Sequence, residues 1–360
     1  MARFFDTRAA YTMFVNATDE KVVIADRIAQ EAKRLTLSQP GLRIFDAGMG
    51  DGALLTNLMR RLHRRWTYVP WLVVAKEISI EDVRQGLARL PDRFLEHPEM
   101  VVVVTNLRFA DAPDLNVGPT GRWRDVALAG TTSAEFGEQI SELFGQLAAD
   151  WQITTSEKTG NPINVHPAAL VLYRQDHRFL LEPLIPRRGG SIRYDLAIAS
   201  QAYRARTPIE RKVGLVVAPL ARALAPGGLL IGVQAAGDDP GMEIIHGVWP
   251  DEKPFRHSGS DVVAEAKRQL ADELDLTFPD LEEAIFRFSL HTMPSEEAAH
   301  IGTSSVVAAW NAATYVAQID ETRLAEAMST GVYLDATRRV MEKYGQVWWN
   351  DELFLITRKP

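Results

Sequence analysis

The residues best suited to chemistry form a short acidic and glycine-rich run, Asp46-Ala47-Gly48-Met49-Gly50-Asp51-Gly52. Glycine at every second position lets the backbone bend sharply and lie against a ligand with no side chain between them. Leu42 to Phe45 before it reads as a short apolar strand, and Leu54, Leu55, Leu58, Met59 and Leu62 after it recur at helical spacing. Strand, glycine turn and helix place the turn at the carboxyl end of a strand, where open α/β sheets bind ligands. The helix that follows is expected to present free N–H groups there. The spacing is not the G-x-G-x-x-G of a dinucleotide site, and no G-x-x-x-x-G-K-[ST] phosphate loop occurs. A second carboxylate, Glu77, closes the next apolar run, Trp71 to Ala75. An acid at that strand end can accept both hydroxyls of a ribose. It follows Asp46 by 77 − 46 = 31 residues, against about 20 in a compact unit, and a loop around Arg64 to Pro70 can absorb the excess.

The pattern D-x-G-x-G-x-G from Asp46 to Gly52 resembles the first motif of class I S-adenosylmethionine-dependent methyltransferases. Tyr194 to Ser200, and Leu224-Ala225-Pro226-Gly227-Gly228-Leu229-Leu230, look like that family's fourth strand and its Pro-Gly-Gly turn and fifth strand. The resemblance spans about residues 41–118 and 191–235, and loosely the last strand. It implies an α/β, Rossmann-like fold with a mostly parallel seven-stranded sheet, helices on both faces, an antiparallel end and a cap or insertion. It implies S-adenosylmethionine as cofactor, held by Asp46, Ala47, Gly48, Gly50, Gly52 and Ser200, with Glu77 on the ribose. Asn106, ahead of Asp111, is the candidate for the adenine. The loop after the fourth strand faces the methyl group in the family, which makes Gln201 and Tyr203 candidate catalytic residues. Because a sulfonium is already a good leaving group, alignment and desolvation can suffice, and a general base is optional.

Other side chains have ordinary explanations. Tyr11 and Phe14 can close over a cofactor or simply pack. His166, His177, His246 and His291 show no metal-ligand spacing. Trp249, Phe255, Trp348 and Trp349 can line an acceptor pocket or fill a core. With no cysteine, disulfides, thiolate metal sites and a thiol nucleophile are excluded. The net charge of −7 gives no global field that gathers nucleic acid, although arginines cluster at 60–65, 187–188 and 204–211. These features favour a small-molecule methyl acceptor. Alternatives are a tRNA or protein methyltransferase using one arginine cluster, a non-catalytic methyltransferase-like module, or a nicotinamide oxidoreductase, which the glycine spacing disfavours.

Around these residues the pattern predicts a helix over 19–35, a helix over 80–90, and a strand from Met100 to Val104, apolar throughout as a strand covered on both faces should be. The alternation predicts parallel strands with right-handed crossovers. The rhythm breaks at 119–190, expected to be an insertion or cap contributing to acceptor binding, and resumes at Tyr194. A helix from Val213 is expected to end at Pro226-Gly227-Gly228. Helix is expected at 260–274 and over most of 303–345, strand at 285–290 and 353–357. The expected organisation is a helical segment over 1–40, a methyltransferase domain over 41–118 and 191–360, and the insertion. No signal peptide or apolar run of membrane length is present, so a cytoplasmic, non-membrane protein is expected.

Overall fold

The computed structural model describes residues 8–37, 40–157, 162–271, 273, 275–291 and 302–360. Helices α1 (Arg8–Ala17) and α2 (Glu20–Glu31) precede β1 (Leu42–Asp46), α3 (Ala53–His63), β2 (Trp71–Lys76), α4 (Ile80–Ala88), α5 (Pro91–Glu96) and β3 (Met100–Thr105). The middle segment holds β4 (Arg122–Leu128), α6 (Ser133–Glu142), α7 (Phe144–Asp150), β5 (Ile153–Thr155), β6 (Pro162–Asn164), β7 (Ala168–Arg174) and α8 (Arg178–Leu181). Then come β8 (Tyr194–Ser200), α9 (Ile209–Lys212), α10 (Ala218–Arg222), β9 (Leu224–Ala235), α11 (Pro240–Val248), α12 (Gly259–Leu270), β10 (Leu276–Thr277) and β11 (Ile285–Ser289). The chain finishes with α13 (Thr303–Val316), α14 (Glu321–Thr330), α15 (Val332–Tyr344) and β12 (Trp348–Arg358).

The sheet runs β10-β12-β9-β8-β1-β2-β3-β7-β4, with β11 also on β12. Strands β1, β2, β3, β8 and β9 are parallel, and β12 is antiparallel to β9, β10 and β11. The chain builds outward from β1 through β2 to β3, then returns to start β8 on the other side of β1. That reversal lies at the carboxyl ends of β1 and β8, the topological switch point at which such sheets bind ligands. The mostly parallel, Rossmann-like α/β fold with an antiparallel end is therefore present.

Strand β3 shows why the sheet is covered twice. Val102 and Val104 join the core beneath α2 and α3, whereas Val101 and Val103 join the core on the opposite face. A side chain of this kind contributes about 1.5–3 kcal/mol when fully buried. A third apolar cluster lies between α1, α11, α13 and α15, with Phe14, Ile245, Trp310 and Trp349.

Three expectations change. The sheet has ten strands rather than seven, because β7 pairs antiparallel with β3, β4 pairs with β7, and β10 and β11 are separate strands on β12. Residues 119–190 therefore extend the sheet edge as well as supplying helices. The helix after β8 stops at Arg222, and Pro226-Gly227-Gly228 lies inside β9. There it forms an irregularity, with Tyr194 opposite Leu224 and Leu196 opposite Leu229. Glycine is required at 228, where a Cβ would sit 2.6 Å from the Tyr194 carbonyl oxygen. No described helix is long and apolar enough to cross a membrane.

Candidate functional site

The glycine turn is tied to both neighbouring strands. The Ala47 N–H donates to the Ile198 carbonyl of β8 at 2.9 Å, and the Met49 N–H to the Lys76 carbonyl of β2 at 3.0 Å. Gly50 and Gly52 take φ of 54° and 77°, a region costly to residues with a Cβ. A Cβ at Gly52 would meet the Gly86 Cα at 2.7 Å, and one at Gly50 the Tyr11 hydroxyl at 2.5 Å. Gly48 is different: a Cβ there would have only the Ser200 carbonyl oxygen nearby, at 3.9 Å. Space beside the turn is therefore kept at Gly48.

Of the helix N–H groups expected to be free, that of Ala53 is taken by a side chain of the chain itself, and so are three N–H groups of the turn. The Gly48 N–H donates to Asp46 Oδ1 at 3.0 Å, Gly50 to Glu77 Oε2 at 2.9 Å, Asp51 to the Tyr11 hydroxyl at 3.2 Å and Ala53 to Asp51 Oδ1 at 3.2 Å. The Tyr11 hydroxyl in turn donates to Asp51 Oδ1. Glu77 Oε1 accepts from the Ile78 and Ser79 N–H groups. Three of the four lone-pair positions of this carboxylate are thus in use. Burial pushes Glu77 above the usual carboxylate range, and the nearby Asp82 charge adds to the shift.

What remains unsatisfied lies at the ends of β1 and β8 and on β12. Asp46 is buried, and its Oδ2 has no hydrogen-bond partner among the described residues. Burial raises its pKa to about 6. Ser200 Oγ and Asp351 Oδ2 are likewise buried without partners. Asp351 Oδ1 accepts from the Gln201 side-chain amide at 3.2 Å, and burial together with the Glu20 charge pushes this carboxyl well up. Lys21 forms an ion pair with Glu20 at 2.6 Å. Burial works against the Lys21 ammonium, but Glu20 more than offsets it and raises its pKa. A cationic ligand group beside Asp46 would supply the missing partner, since buried polar atoms are normally hydrogen-bonded.

The structure brings Asp46, Ala47, Gly48, Gly50, Gly52, Glu77 and Ser200 to one end of the sheet but gives Asn106 another task. Its side-chain amide donates to the His166 and Asp150 carbonyls, and its Oδ1 accepts the Ala168 N–H at 2.8 Å. Asn106 thus pins β3 to the segment preceding β7, and both its amide hydrogens are committed there. Tyr203 donates to Gln234 Oε1 at 3.0 Å, and burial pushes its phenol up, so it is a protonated donor rather than a base near neutrality. Tyr11 lies on the glycine turn, whereas Phe14 is buried and stacks on Tyr315 at 4.7 Å. Trp349 stacks on Phe288 and Trp249 on Trp310, which makes them packing residues. The His246 ring contacts the Glu252 carbonyl and the His177 ring contacts Asp176, and no described group of residues forms a metal site.

Sequence reading missed Asp351, Lys21 and Glu20, and of α1 it offered only Tyr11 and Phe14. Asp351 stands in the polar triplet Asn350-Asp351-Glu352 ahead of the expected strand 353–357, so nothing local marked it.

No protein-family model matches the chain, and a search of curated proteins finds no match. Several solved structures overlap with it loosely. A proposed sarcosine dimethylglycine methyltransferase of Galdieria sulphuraria is 11% identical, with a TM-score of 0.39 over 93% of this chain and 85% of that one. A geranyl diphosphate methyltransferase in complex with GPP and sinefungin is 12% identical, with a TM-score of 0.34 over 93% of this chain and 78% of that one. Phosphoethanolamine N-methyltransferase 2 of Haemonchus contortus, bound to S-adenosyl-L-methionine, is 9% identical with a TM-score of 0.31, and the overlap covers 93% of this chain and 52% of that one.

Proposed function

We propose that this chain is a methyltransferase that uses S-adenosylmethionine and acts on a small-molecule acceptor. The observation that carries the reading is the pair Asp46 Oδ2 and Ser200 Oγ, buried without partners among the described residues at the ends of β1 and β8. The amino-acid end of the cofactor, with its ammonium, fits that pair. Asp46, with a pKa of about 6, is mostly charged at neutral pH and favours a cation there. Glu77 stands across the turn with one lone-pair position unused, and it can reach a ribose hydroxyl without leaving its strand end.

When bound, the cofactor supplies a methyl carbon already activated by a sulfonium leaving group. The chain's part is alignment and exclusion of water. Helix α1 covers this end of the sheet, with Arg8 paired to Asp82 and Tyr11 on the turn. Gln201, anchored to Asp351, borders the acceptor side. A small acceptor also suits the arginines, because Arg61 is paired with Asp26, and Arg206 and Arg323 with Glu252. Those groups are not left to track a phosphate backbone.

Parallel calorimetric titrations with S-adenosylmethionine, S-adenosylhomocysteine and NAD test the reading. Binding of the first two and not the third is expected. Absence of heat from both adenosyl ligands would overturn it, and NAD binding would favour a nicotinamide enzyme. Nucleic-acid binding that falls steeply with salt would favour an RNA acceptor instead.

A further inference from the structure

One residue beyond Ser200 the chain borders a small pocket that includes Gln201, Tyr203, Lys212, Gln234, His257 and Gln318. Its free space is about 10 Å³, enough for one water-sized oxygen. Lys212, the last residue of α9, is only 2% exposed. Its ammonium lies over the Tyr203 ring, 5.1 Å from the centroid, and no carboxylate among the described residues is within ion-pair distance of it. Glu352, whose charge reaches Tyr203, instead accepts the Gly259 N–H at 2.5 Å. Lysine is almost never buried this fully unless paired.

Independent features mark the same pocket. The helix that presents Lys212 continues as a π-helix over Val213–Val217, a winding that recurs at functional sites. Gln201 and Gln318 have φ of 50° and 52°, and they are two of the four described non-glycine residues with positive φ. Such backbone strain gathers where a site requires it. The wall is built of fixed amides: Gln234 accepts from Tyr203 and donates to the His257 carbonyl at 2.8 Å, and Gln318 Oε1 accepts the Ala205 N–H at 3.1 Å. Gln318 keeps its amide hydrogens as donors. A buried ammonium among such donors calls for a small anionic oxygen.

We infer that this pocket receives one carboxylate oxygen of the methyl acceptor, with Lys212 as the counter-ion of that carboxylate. Gln201 joins the two sites: the Ser200 carbonyl next to it faces Gly48, and Gln201 itself lines the pocket. The substrate class is thus a small carboxylic acid held by its carboxylate, with the atom to be methylated toward Gly48. That a carboxylate binds follows from the pocket alone, whereas the acceptor role rests on the proposed methyl transfer.

The test uses the full chain with 13C-labelled lysine, acetate as probe, and acetamide as its neutral counterpart, with and without S-adenosylhomocysteine. Burial depresses the Lys212 ammonium, so acetate should shift its ε-carbon signal saturably and raise its titration midpoint, while acetamide does neither. Lys212→Met should weaken acetate binding about tenfold or more, the scale of one charged hydrogen bond, and leave S-adenosylhomocysteine affinity within about twofold. Should the methionine variant not fold, Lys212→Arg keeps the charge and assigns the signal in the wild type. A Lys212 signal unmoved by acetate, or moved equally by acetamide, overturns the inference, as does undiminished acetate binding by Lys212→Met. An intact acetate response without adenosyl-ligand binding would remove the methyltransferase reading and leave the anion pocket standing.

Discussion

The carboxylate of Glu77 accepts the backbone N–H of Gly50 at 2.9 Å, joining the end of β2 to the turn that follows β1. In the proposed complex the same carboxylate holds the ribose, so it serves the turn and the ligand at once. Glu77→Gln keeps its shape and removes its charge. It should weaken S-adenosylmethionine and S-adenosylhomocysteine alike by roughly 10- to 100-fold, the worth of one charged hydrogen bond. Calorimetry checks this, and a loss confined to one of the two ligands would count against the ribose role.

Gly48 and Gly52 should respond differently to substitution. A Cβ at 48 meets only ordinary contact in the protein, so Gly48→Val should fold with a near-normal melting temperature and lose adenosyl-ligand binding. Gly52→Ala forces a Cβ into the left-handed region and against Gly86, and should cost about 1–3 kcal/mol of stability. Paired thermal melts and titrations separate these outcomes.

Burial raises Asp46 to about 6 from an ordinary 3.8. The folded chain therefore binds this proton more tightly than the unfolded chain. Asp46 is least costly to stability below pH 3.8, and its contribution becomes unfavourable as pH rises to about 6. Ligand affinity should move the other way, because a cation prefers the charged form. Affinity for S-adenosylmethionine should rise across roughly pH 5 to 7, and Asp46→Asn should bind weakly with no such rise.

His97 sets a second pH dependence far from the site. It stacks on Trp71 at 3.8 Å, its Nε2 donates to the Val69 carbonyl, and its Nδ1 meets His63 Nδ1 at 2.9 Å. A neutral His97 therefore accepts from the His63 N–H, and a proton on His97 Nδ1 would break that bond. Burial, aided by the His63 charge, depresses His97 to about 4 from 6.5. The unfolded chain binds this proton more readily, so its stability contribution is full above pH 6.5 and is lost as pH falls toward 4. The loss is on the order of 3 kcal/mol at most. Denaturant titrations of wild type and His97→Gln should show a shallower acid slope in the variant.

Asn106 should behave as a structural residue. Asn106→Ala leaves the Ala168 N–H and two carbonyls without partners, and should cost about 1–3 kcal/mol. Adenosyl-ligand affinity, measured below the melting transition, should stay close to wild type. A selective affinity loss at unchanged stability would restore Asn106 to the adenine.

Local chemistry determined a great deal of this protein. Apolar runs, the glycine spacing and Glu77 at a strand end specify strand, turn and helix, because periodicity and backbone conformation act over neighbouring residues. Only tertiary structure decided who occupies the turn's donors, since Tyr11 reaches Asp51 from 40 residues away and Glu77 reaches Gly50 from 27. The same holds for Asn106, whose partner His166 lies 60 residues on, and for β7 and β4, which carry no mark of the edge they join. Lys212 looks like one more basic residue in Glu210-Arg211-Lys212. Its burial follows from how the π-wound helix, β9 and the loop at Gln318 close around it, and a packing of distant segments leaves no trace in any one of them.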